Sequence, residues 1–328
     1  MKKICAFFFL LVWSLGFNPG MSVPAEPYPS KSIRWVVPFN PGGGVDVLTR
    51  ALVREMGKEL KVPIIVQNIP GGGARIGASN VFTSKPDGYT LGTFVVGTLV
   101  IPQVIFGNAP YDVRKFVWVG SPFSAPFGVW AATKSPLHLL KDLKNLGRPP
   151  FIAEVGLSGT PVPPTVLIMK ALDIKYKYVT GYGGQAVMNP AVISGEADLV
   201  VRTVPSQQPW KEDLRNIATL DDKRHPLAPD VPTVVEQLGT AAEEIVPLSK
   251  GLYLIGMPPE TPASAAKVIE KAILKALDSP SFLKWAATTG FNHDLTKANA
   301  AQTKTIVDKY IAVLSKHAET MKGVMRKK

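Results

Sequence analysis

The sequence predicts an α/β protein built as two lobes, and three patterns in the chain support this. In the first third, short apolar strands alternate with helical segments, which is typical of an α/β sheet. The alternation restarts near residue 127 and supplies enough strands for a second sheet. From residue 251 the chain forms one strand and then helical patterns, which we expect to pack back on the first sheet. Two crossings between two lobes predict a hinged cleft, a usual place for a small-molecule site.

Residues 1–25 are predicted to be a signal peptide and not part of the fold. A short basic start precedes an apolar core from Ala6 to Phe17, and small residues at 23–25 suit cleavage. The core is short for a membrane span, so an uncleaved anchor is the weaker alternative. Cys5 lies in this segment, and the mature chain would therefore hold no disulfide, thiolate nucleophile or cysteine metal site. We expect an exported, periplasmic protein.

The chain is basic, with 37 Lys and Arg against 25 Asp and Glu and a formal net charge of +12. A positive protein attracts anions at long range, which suits acidic small molecules, nucleic acid or an anionic membrane. The basic residues are scattered, however, and no module of interleaved aromatic and basic residues is visible. We therefore expect a small anionic ligand and no nucleic-acid partner.

In chain order, the first lobe begins with three predicted strands, at residues 33–37, 64–67 and 89–95. The first two strands are each followed by a glycine-rich loop and then by a helical pattern. A further apolar run follows at 116–119. The alternation of strand and helix predicts that the loops stand together at one edge of the sheet.

The two glycine-rich loops, Pro38–Asp46 and Asn68–Gly77, lie where a strand turns into a helix. The first amides of a helix have no internal partner and are partly positive, and glycines let an anion approach them. Two such loops at neighbouring strands could hold one small anionic group between them. A single Pro-Gly-Gly is also a common turn, which is the alternative for either loop. Neither loop matches a nucleotide fingerprint, so a carboxylate is expected rather than a pyrophosphate.

The second lobe is predicted to contain strands at 127–132, 151–155, 176–180, 197–201 and 217–220. Small-residue loops follow the second and third of these, at 156–160 and 181–184. After a strand at 251–257, three helices are expected: 262–278 capped by Thr261, 281–289 ended by Gly290, and 299–321.

No catalytic, metal or cofactor site is predicted. The four histidines are far apart in sequence and in no metal-ligand spacing: His138, His225, His293 and His317. No Gly-x-Ser-x-Gly elbow and no prominent acidic pair are present. An enzyme acting on an acidic substrate in the periplasm is the weak alternative, because no set of nucleophile, base or metal is convincing.

Several motifs resemble, in the expected order, the Bug-type solute receptors, which are the substrate-binding proteins of tripartite tricarboxylate transporters. The resemblance covers nearly the whole mature chain and rests on Tyr28-Pro29-Ser30-Lys31-Ser32-Ile33, Val37–Gly43 with Asp46, Asn68–Gly73 with Gly77, Pro86–Leu91, Pro110-Tyr111-Asp112, and Ala228–Thr233 with Glu236.

The resemblance implies a two-lobed periplasmic binding-protein fold of type II-like, Venus-flytrap form, with the ligand cleft between lobes. Lobe one would comprise residues 26–126 plus 252–328, and lobe two residues 127–251. It also implies closure over a small carboxylate held largely by backbone amides, and delivery to integral-membrane permease subunits. We expect a monomer because binding requires only one chain. A sensor that presents its closed form to a signalling partner is the alternative, since both uses rest on the same population shift.

The resemblance carries ligand-facing roles onto loops in both lobes. In lobe one the candidates are Phe39, Pro41, Gly42, Gly43, Asp46, Gly71, Gly72, Gly73, Ala74, Thr93 and Thr98. In lobe two they are Ser158, Gly159, Thr160, Gly183 and Gly184. Some have plain structural alternatives: Asp46, Ser158 and Thr160 could cap helices, and Phe39 could belong to the core.

One departure from the family pattern motivates a further hypothesis. After the strand that ends at Val201, the family usually has an acidic residue, whereas this chain has Arg202. A guanidinium suits bidentate pairing with a carboxylate, so Arg202 is a candidate for binding the distal carboxylate of the ligand. The alternatives are a solvated surface arginine or a receptor that has drifted to an unusual ligand.

Overall fold

The protein, described by a computed structural model for residues 27–325, is organised around a sheet that includes ten strands in this part of the chain. The predicted signal peptide and Cys5 lie outside the described residues. The strands are β1 (Ile33–Val37), β2 (Ile64–Asn68), β3 (Thr90–Val95), β4 (Val117–Ala132), β5 (Phe151–Ala153), β6 (Lys177–Val179), β7 (Leu199–Thr203), β8 (Leu214–Thr219), β9 (Lys250–Met257) and β10 (Leu295–Ala298). The main path of the sheet has the order β2-β1-β3-β9-β4-β7-β5-β6.

The helices of the described chain are α1 (Gly44–Leu60), α2 (Arg75–Phe82), α3 (Val96–Ile101), α4 (Val162–Ala171), α5 (Gln185–Ser194), α6 (Val234–Leu238), α7 (Ala263–Asp278), α8 (Pro280–Thr289), α9 (Ala300–Lys316) and α10 (Ala318–Met325). Short 3-10 turns join several of them, including Gly72–Ala74 directly before α2.

The strand directions make two sets of loops face each other. Strands β1, β2 and β3, which we call the first strand set, are parallel to one another. Because β3 and β4 are each antiparallel to β9, the first set runs in the same direction as β4. Strands β5, β6 and β7, the second strand set, are also parallel to one another, but β7 is antiparallel to β4. Because β4 passes from the first set to the second, the carboxyl ends of the two sets point towards each other.

Strand β4 corrects one expectation. The sequence predicted two separate strands, at 116–119 and 127–132, but a single strand covers Val117–Ala132. The intervening Gly120–Pro126 breaks the apolar pattern, which is why sequence reasoning divided it. Its pairing with β9 shifts register between Gly120 and Phe123, and Pro122 lies in that shift, where a proline costs no ladder bond. Strand β10, which pairs with β4, was not predicted.

The helices after β9 differ in part from the prediction. Helix α7 begins at Ala263 after Pro262, and Thr261 does not cap it, because the Thr261 hydroxyl donates to the Pro258 carbonyl at 2.8 Å. Helix α8 ends at Gly290 in the left-handed conformation, as predicted. The third predicted helix is divided at His317 into α9 and α10.

The apolar core lies on both sides of the sheet. One cluster packs α1 and α7 against the first strands and includes Trp35, Leu52 and Ile273. A larger cluster contains residues of both strand sets and of α9, among them Phe94 and Val129. The expectation that all three final helices pack on the first sheet holds for α7 and α8, which contact α1. Of the third predicted helix, α9 contacts β4 and α3, and α10 contacts both the turn Pro102–Phe106 after α3 and helix α4.

Helix α2 lies unusually close to the loop after β1, and a glycine permits this. A Cβ added to Gly77 would lie 2.7 Å from the Ile69 carbonyl oxygen and 2.7 Å from Pro38 Cβ. Real Cβ atoms do not approach backbone atoms so closely. The absence of a side chain at Gly77 therefore sets how near the second glycine-rich loop comes to the first.

We predict that Gly77→Ala destabilises the protein by about 1–3 kcal/mol, since the added methyl group overpacks the contact with Pro38 and Ile69. Glycine to alanine inside a helix normally stabilises by about 0.5–1 kcal/mol, so the sign of the change is diagnostic. Urea unfolding monitored by circular dichroism measures it.

Gly323→Ala is the matched control, because Gly323 is exposed within α10 and nothing lies within 4 Å of an added Cβ. The control is expected to be neutral or stabilising. A stabilised Gly77→Ala variant would contradict the close-approach role.

Candidate functional site

The first glycine-rich loop joins β1 to α1 and presents the start of the helix. Pro41, Gly42 and Gly43 are exposed, and Gly42 has φ +80°, a left-handed conformation that favours glycine. Gly43 is the residue before the helix and has no side chain to cap it. The amides of Gly44 and Val45 stand in the first turn, where a helix supplies no acceptor. This end of α1 can therefore donate to an anion.

Asp46 is buried, and its carboxylate connects three segments. Its oxygens accept hydrogen bonds from the Gly42 amide at 2.9 Å, from Arg50 Nε at 2.9 and 3.0 Å, and from Asn68 Nδ2 at 2.9 Å. Asn68, at the end of β2, also donates to the Phe39 carbonyl at 3.0 Å and accepts from Arg50 Nη2 at 2.8 Å. We call Asp46, Arg50 and Asn68 the loop clamp, because they hold the first loop against the end of β2.

The charge state of Asp46 follows from these contacts. Burial raises the pKa of its carboxyl, but the hydrogen bonds from Arg50, Gly42 and Asn68 together outweigh burial and leave the pKa below its ordinary value. Asp46 is thus ionised at neutral pH. The sequence predicts that Asp46 faces the ligand or caps the helix. The structure instead places its carboxylate in the loop clamp, where it also accepts a hydrogen bond from the Gly42 amide.

The second glycine-rich loop has an unusual backbone. Gly71, Gly72 and Gly73 have φ of +119°, +58° and +65°, and Ala74 follows with φ +75°. Successive left-handed residues turn their amides into a concavity that suits an anion. Ala74 adopts this conformation without being a glycine, which is a strained choice of the kind found at ligand sites.

Arg75 follows this loop and adds a cation to it. Its Nε donates to the Gly72 carbonyl at 2.7 Å. Among residues 27–325, no carboxylate lies within 4 Å of the Arg75 guanidinium. The second loop therefore combines turned amides with a positive charge that no carboxylate of residues 27–325 neutralises.

The third loop of the first set is not as predicted. Thr93 lies within β3 and is buried, and its hydroxyl accepts hydrogen bonds from Trp35 Nε1 at 2.8 Å and Thr49 at 3.0 Å. Thr93 therefore belongs to the core. Thr98 lies in α3, half-buried, with its hydroxyl donating to the Val95 carbonyl at 2.8 Å. Both had been predicted to face a ligand from a loop; β3 instead passes directly into α3, so no such loop forms.

The loops of the second strand set reach the first set at α3. Ser158 is exposed, whereas Thr160 is buried against Gly97: a Cβ added to Gly97 would lie 2.7 Å from the Thr160 hydroxyl oxygen. Gly183 is exposed, and Gly184 precedes α5 with φ +147°. Helix α3, which follows β3, and the loop after β5 thus touch, as the opposed strand directions require.

Arg202 is neither solvated nor free. Its guanidinium donates to both carboxylate oxygens of Glu154 at 2.9 Å, and the two side chains are only 14% and 5% exposed. The hypothesis that Arg202 binds the distal carboxylate of the ligand is therefore corrected, since the Glu154 carboxylate already pairs with its guanidinium. The alternative of a surface arginine is also wrong.

Sequence reasoning missed the partners that organise the site. The spacing of Asp46 and Arg50 by four residues on a helix was a readable signal for a pair. Glu154, an acid within an apolar strand pattern, was a signal for a buried partner. Asn68 carried no distinguishing signal, because its three contacts come from residues 18, 22 and 29 positions away.

No group of three or more His, Asp or Glu side chains between residues 27 and 325 is placed to hold a metal ion. Within the same range, no helix is both long enough and apolar enough to cross a membrane.

Known proteins resemble the chain in sequence and in fold. The sequence profile described as tripartite tricarboxylate transporter family receptor (TctC) matches residues 48–317. A relative from Pseudomonas sp. (strain P51), called the UPF0065 protein in the tcbD-tcbE intergenic region, is 27% identical over 267 residues, which cover 79% of this chain and 77% of the relative.

Solved structures extend the likeness to the fold. The periplasmic binding protein BugD has a TM-score of 0.71 at 21% identity, with 91% of this chain and 99% of BugD covered. A protein from R. palustris solved with adipate has a TM-score of 0.75 at 22% identity, with the same two coverages of 91% and 99%. These matches confirm the predicted periplasmic binding-protein fold.

We predict that Asp46→Asn destabilises the protein by about 1.5–3 kcal/mol at pH 7, the usual worth of hydrogen bonds to a charged group. Because the folded-state pKa of Asp46 is lowered, its stabilisation is present above the unfolded pKa of about 3.9 and is lost as pH falls through the folded pKa. The difference between wild type and variant should therefore shrink on acidification. Urea unfolding between pH 7 and pH 3 measures it.

Asp308→Asn serves as the control, since Asp308 forms an exposed pair with Lys304 on α9 that is worth under about 0.5 kcal/mol. A difference between wild type and Asp46→Asn that stays constant down to pH 3 would contradict the ionised clamp.

Proposed function

Because the chain belongs to the tripartite tricarboxylate transporter receptor family, we propose that it binds a small carboxylate and delivers it to the membrane permease of such a transporter. The family match over residues 48–317 confirms the resemblance to Bug-type receptors that the motifs indicated. It also favours a receptor over an enzyme, because the family is one of receptors.

The observation that carries the proposal is the pair of glycine-rich loops held together by the loop clamp. The amides at the start of α1 and the turned amides of Gly72 to Ala74 would donate to one carboxylate, and Arg75 would balance its charge. Since the clamp fixes the first loop against the end of β2 before ligand arrives, ordering this loop adds little cost at binding.

The second strand set would complete the site by closing on the first. The opposed carboxyl ends of the strands and the contact between Thr160 and Gly97 support closure of this kind. We assign lobe one to residues 26–126 plus 252–328 and lobe two to residues 127–251, with β4 and β9 as the connections. Ligand would shift the population from an open to a closed form, which the permease would recognise.

The cellular setting is part of the same proposal. The fold is that of periplasmic binding proteins such as BugD, and residues 1–25 read as a signal peptide. We therefore place the receptor in the periplasm, as a monomer that meets integral-membrane permease subunits.

The test is a thermal-shift screen of residues 26–328 against mono-, di- and tricarboxylates, with amino acids and phosphates included. A ligand at 100 times its dissociation constant adds about 2.7 kcal/mol of stability. We expect a stabilising carboxylate and no response to phosphates. A response to phosphates or nucleotides alone would contradict the proposal.

A variant pair then tests the amides. Gly44→Pro removes one N–H at the first helical position, where proline is tolerated, and Gly43 before it is extended at φ −73° and ψ 161°. Gly44→Ala keeps that N–H and places the same Cβ against the Tyr253 hydroxyl. We expect Gly44→Pro to bind the carboxylate about 10- to 100-fold more weakly than Gly44→Ala, as for one hydrogen bond to a charged group. Equal affinities, measured by calorimetry, would exclude this helix start from the site.

A further inference from the structure

We propose that Glu154 determines specificity: by neutralising Arg202 it restricts the site to a monocarboxylate with an apolar body. The inference rests on the proposed function and names the substrate class of the same site. It concerns the half of the cleft contributed by β5, β6 and β7, opposite the glycine-rich loops.

The Glu154–Arg202 pair leaves little of the arginine for a ligand. Nη1 of Arg202 donates to Glu154 Oε2 at 2.9 Å and to the Val201 carbonyl at 2.7 Å, and Nη2 donates to Glu154 Oε1 at 2.9 Å and to Met188 Sδ at 3.1 Å. A guanidinium has five N–H donors, so four of them are already used. Its charge is balanced by a carboxylate that belongs to the protein.

The pair lies next to the point where the two strand sets meet. A Cβ added to Gly159 would lie 3.1 Å from Glu154 Oε1, so the carboxylate rests against the backbone of that loop. Thr160, the following residue, contacts Gly97 of α3. A ligand bound at the first two loops and extending across the cleft would therefore face this pair.

The helix after β5 offers no replacement anion site. The first turn of α4 contains Pro163 and Pro164, which have no N–H, and Val162 donates its N–H to the Gly159 carbonyl at 3.0 Å. The next amide, of Thr165, donates to the preceding turn at 3.2 Å. The prolines and these internal bonds thus remove the first-turn amides of α4 as donors to a second carboxylate.

The helix after β6 does keep free first-turn amides, at Gln185 and Ala186. Its surroundings nevertheless disfavour an anion, because Tyr182 in the preceding loop donates to the exposed Glu196 at 2.7 Å. Counted together, the neutral Glu154–Arg202 pair and Glu196 carry one net negative charge.

The charges around the whole site match a single negative ligand charge. Arg50 is paired with Asp46, and Arg202 with Glu154, while Arg75 alone of these three has no carboxylate partner among residues 27–325. One carboxylate at the first two loops satisfies Arg75. A second carboxylate would lose its water beside an already neutral pair, which is strongly unfavourable.

Apolar side chains stand beside the same loops. Ile76, Val155 and Val187 are 56%, 49% and 53% exposed and are three of the six large apolar side chains exposed in the described chain. Val155 lies just after β5, and Ile76 and Val187 lie in the first turns of α2 and α5, the helices that follow β2 and β6. Their exposure fits a ligand whose body beyond the carboxylate is apolar.

The test compares three six-carbon acids by calorimetry: hexanoate, 6-hydroxyhexanoate and adipate. They share chain length and differ only at the distal end. For the wild-type protein we expect hexanoate to bind at least about tenfold more tightly than adipate, with 6-hydroxyhexanoate between them.

Glu154→Gln then releases the charge of Arg202. We expect this variant to bind adipate at least about tenfold more tightly than the wild type does, with hexanoate little changed. The double variant Glu154→Gln with Arg202→Gln is the control, because it removes both charges. It should return to the wild-type preference for hexanoate, and it keeps the test valid if the single variant folds poorly.

Adipate binding the wild type as tightly as hexanoate, or more tightly, would overturn the inference while leaving a carboxylate receptor intact. The same holds if adipate affinity in Glu154→Gln equals that in the double variant. Failure of the wild type to bind any carboxylate of the broader screen would overturn the proposed function and this inference with it.

Discussion

The structure of the candidate site depends on one buried carboxylate. Asp46 is removed from water, and a buried charge is tolerated only when hydrogen bonds and an opposite charge replace its hydration. Its partners come from the loop before α1, from the next turn of α1 and from the end of β2. Satisfying Asp46 therefore fixes the first loop against the end of β2, where the second loop begins. The glycines provide access to the amides, and the clamp provides their geometry.

Close backbone approach is the second constraint. Gly77 lets α2 lie against Pro38, and Gly97 lets α3 lie against Thr160. The first contact joins the two glycine-rich loops, and the second joins the two strand sets. In both places the glycine is needed for the space that a Cβ would fill, since neither has a left-handed backbone. Glycine in this chain thus has two separate uses, conformational freedom at Gly71 to Gly73 and closeness at these two helices.

The two strand sets treat polar groups differently. The first set has unpaired amides at the start of α1 and in the turn before α2, and the positive charge of Arg75 lies beside them. The second set offers fewer donors, because Arg202 is bonded to Glu154 and the first turn of α4 contains two prolines, although the first amides of α5 stay free. Such an asymmetry suits a ligand with one charged end. The chemistry of binding would then lie mainly on the first set, with selection by the second.

The sequence by itself determined the α/β class, most of the strands, the two strand-to-helix glycine loops and the family, because these depend on local periodicity and on residues adjacent in the chain. Gly290 ended α8 as predicted for the same reason. Tertiary structure decided which polar groups remain free. Thr93 lies in the core, where its hydroxyl accepts hydrogen bonds from Trp35 and Thr49. The Asp46 carboxylate accepts a hydrogen bond from the Gly42 amide. Arg202 pairs with Glu154, which lies forty-eight positions away in the chain. The continuity of β4 through Pro122 was likewise decided by its pairing with β9. The availability of a donor or a charge depends on every neighbour within a few ångströms, and in a folded sheet those neighbours come from distant parts of the chain.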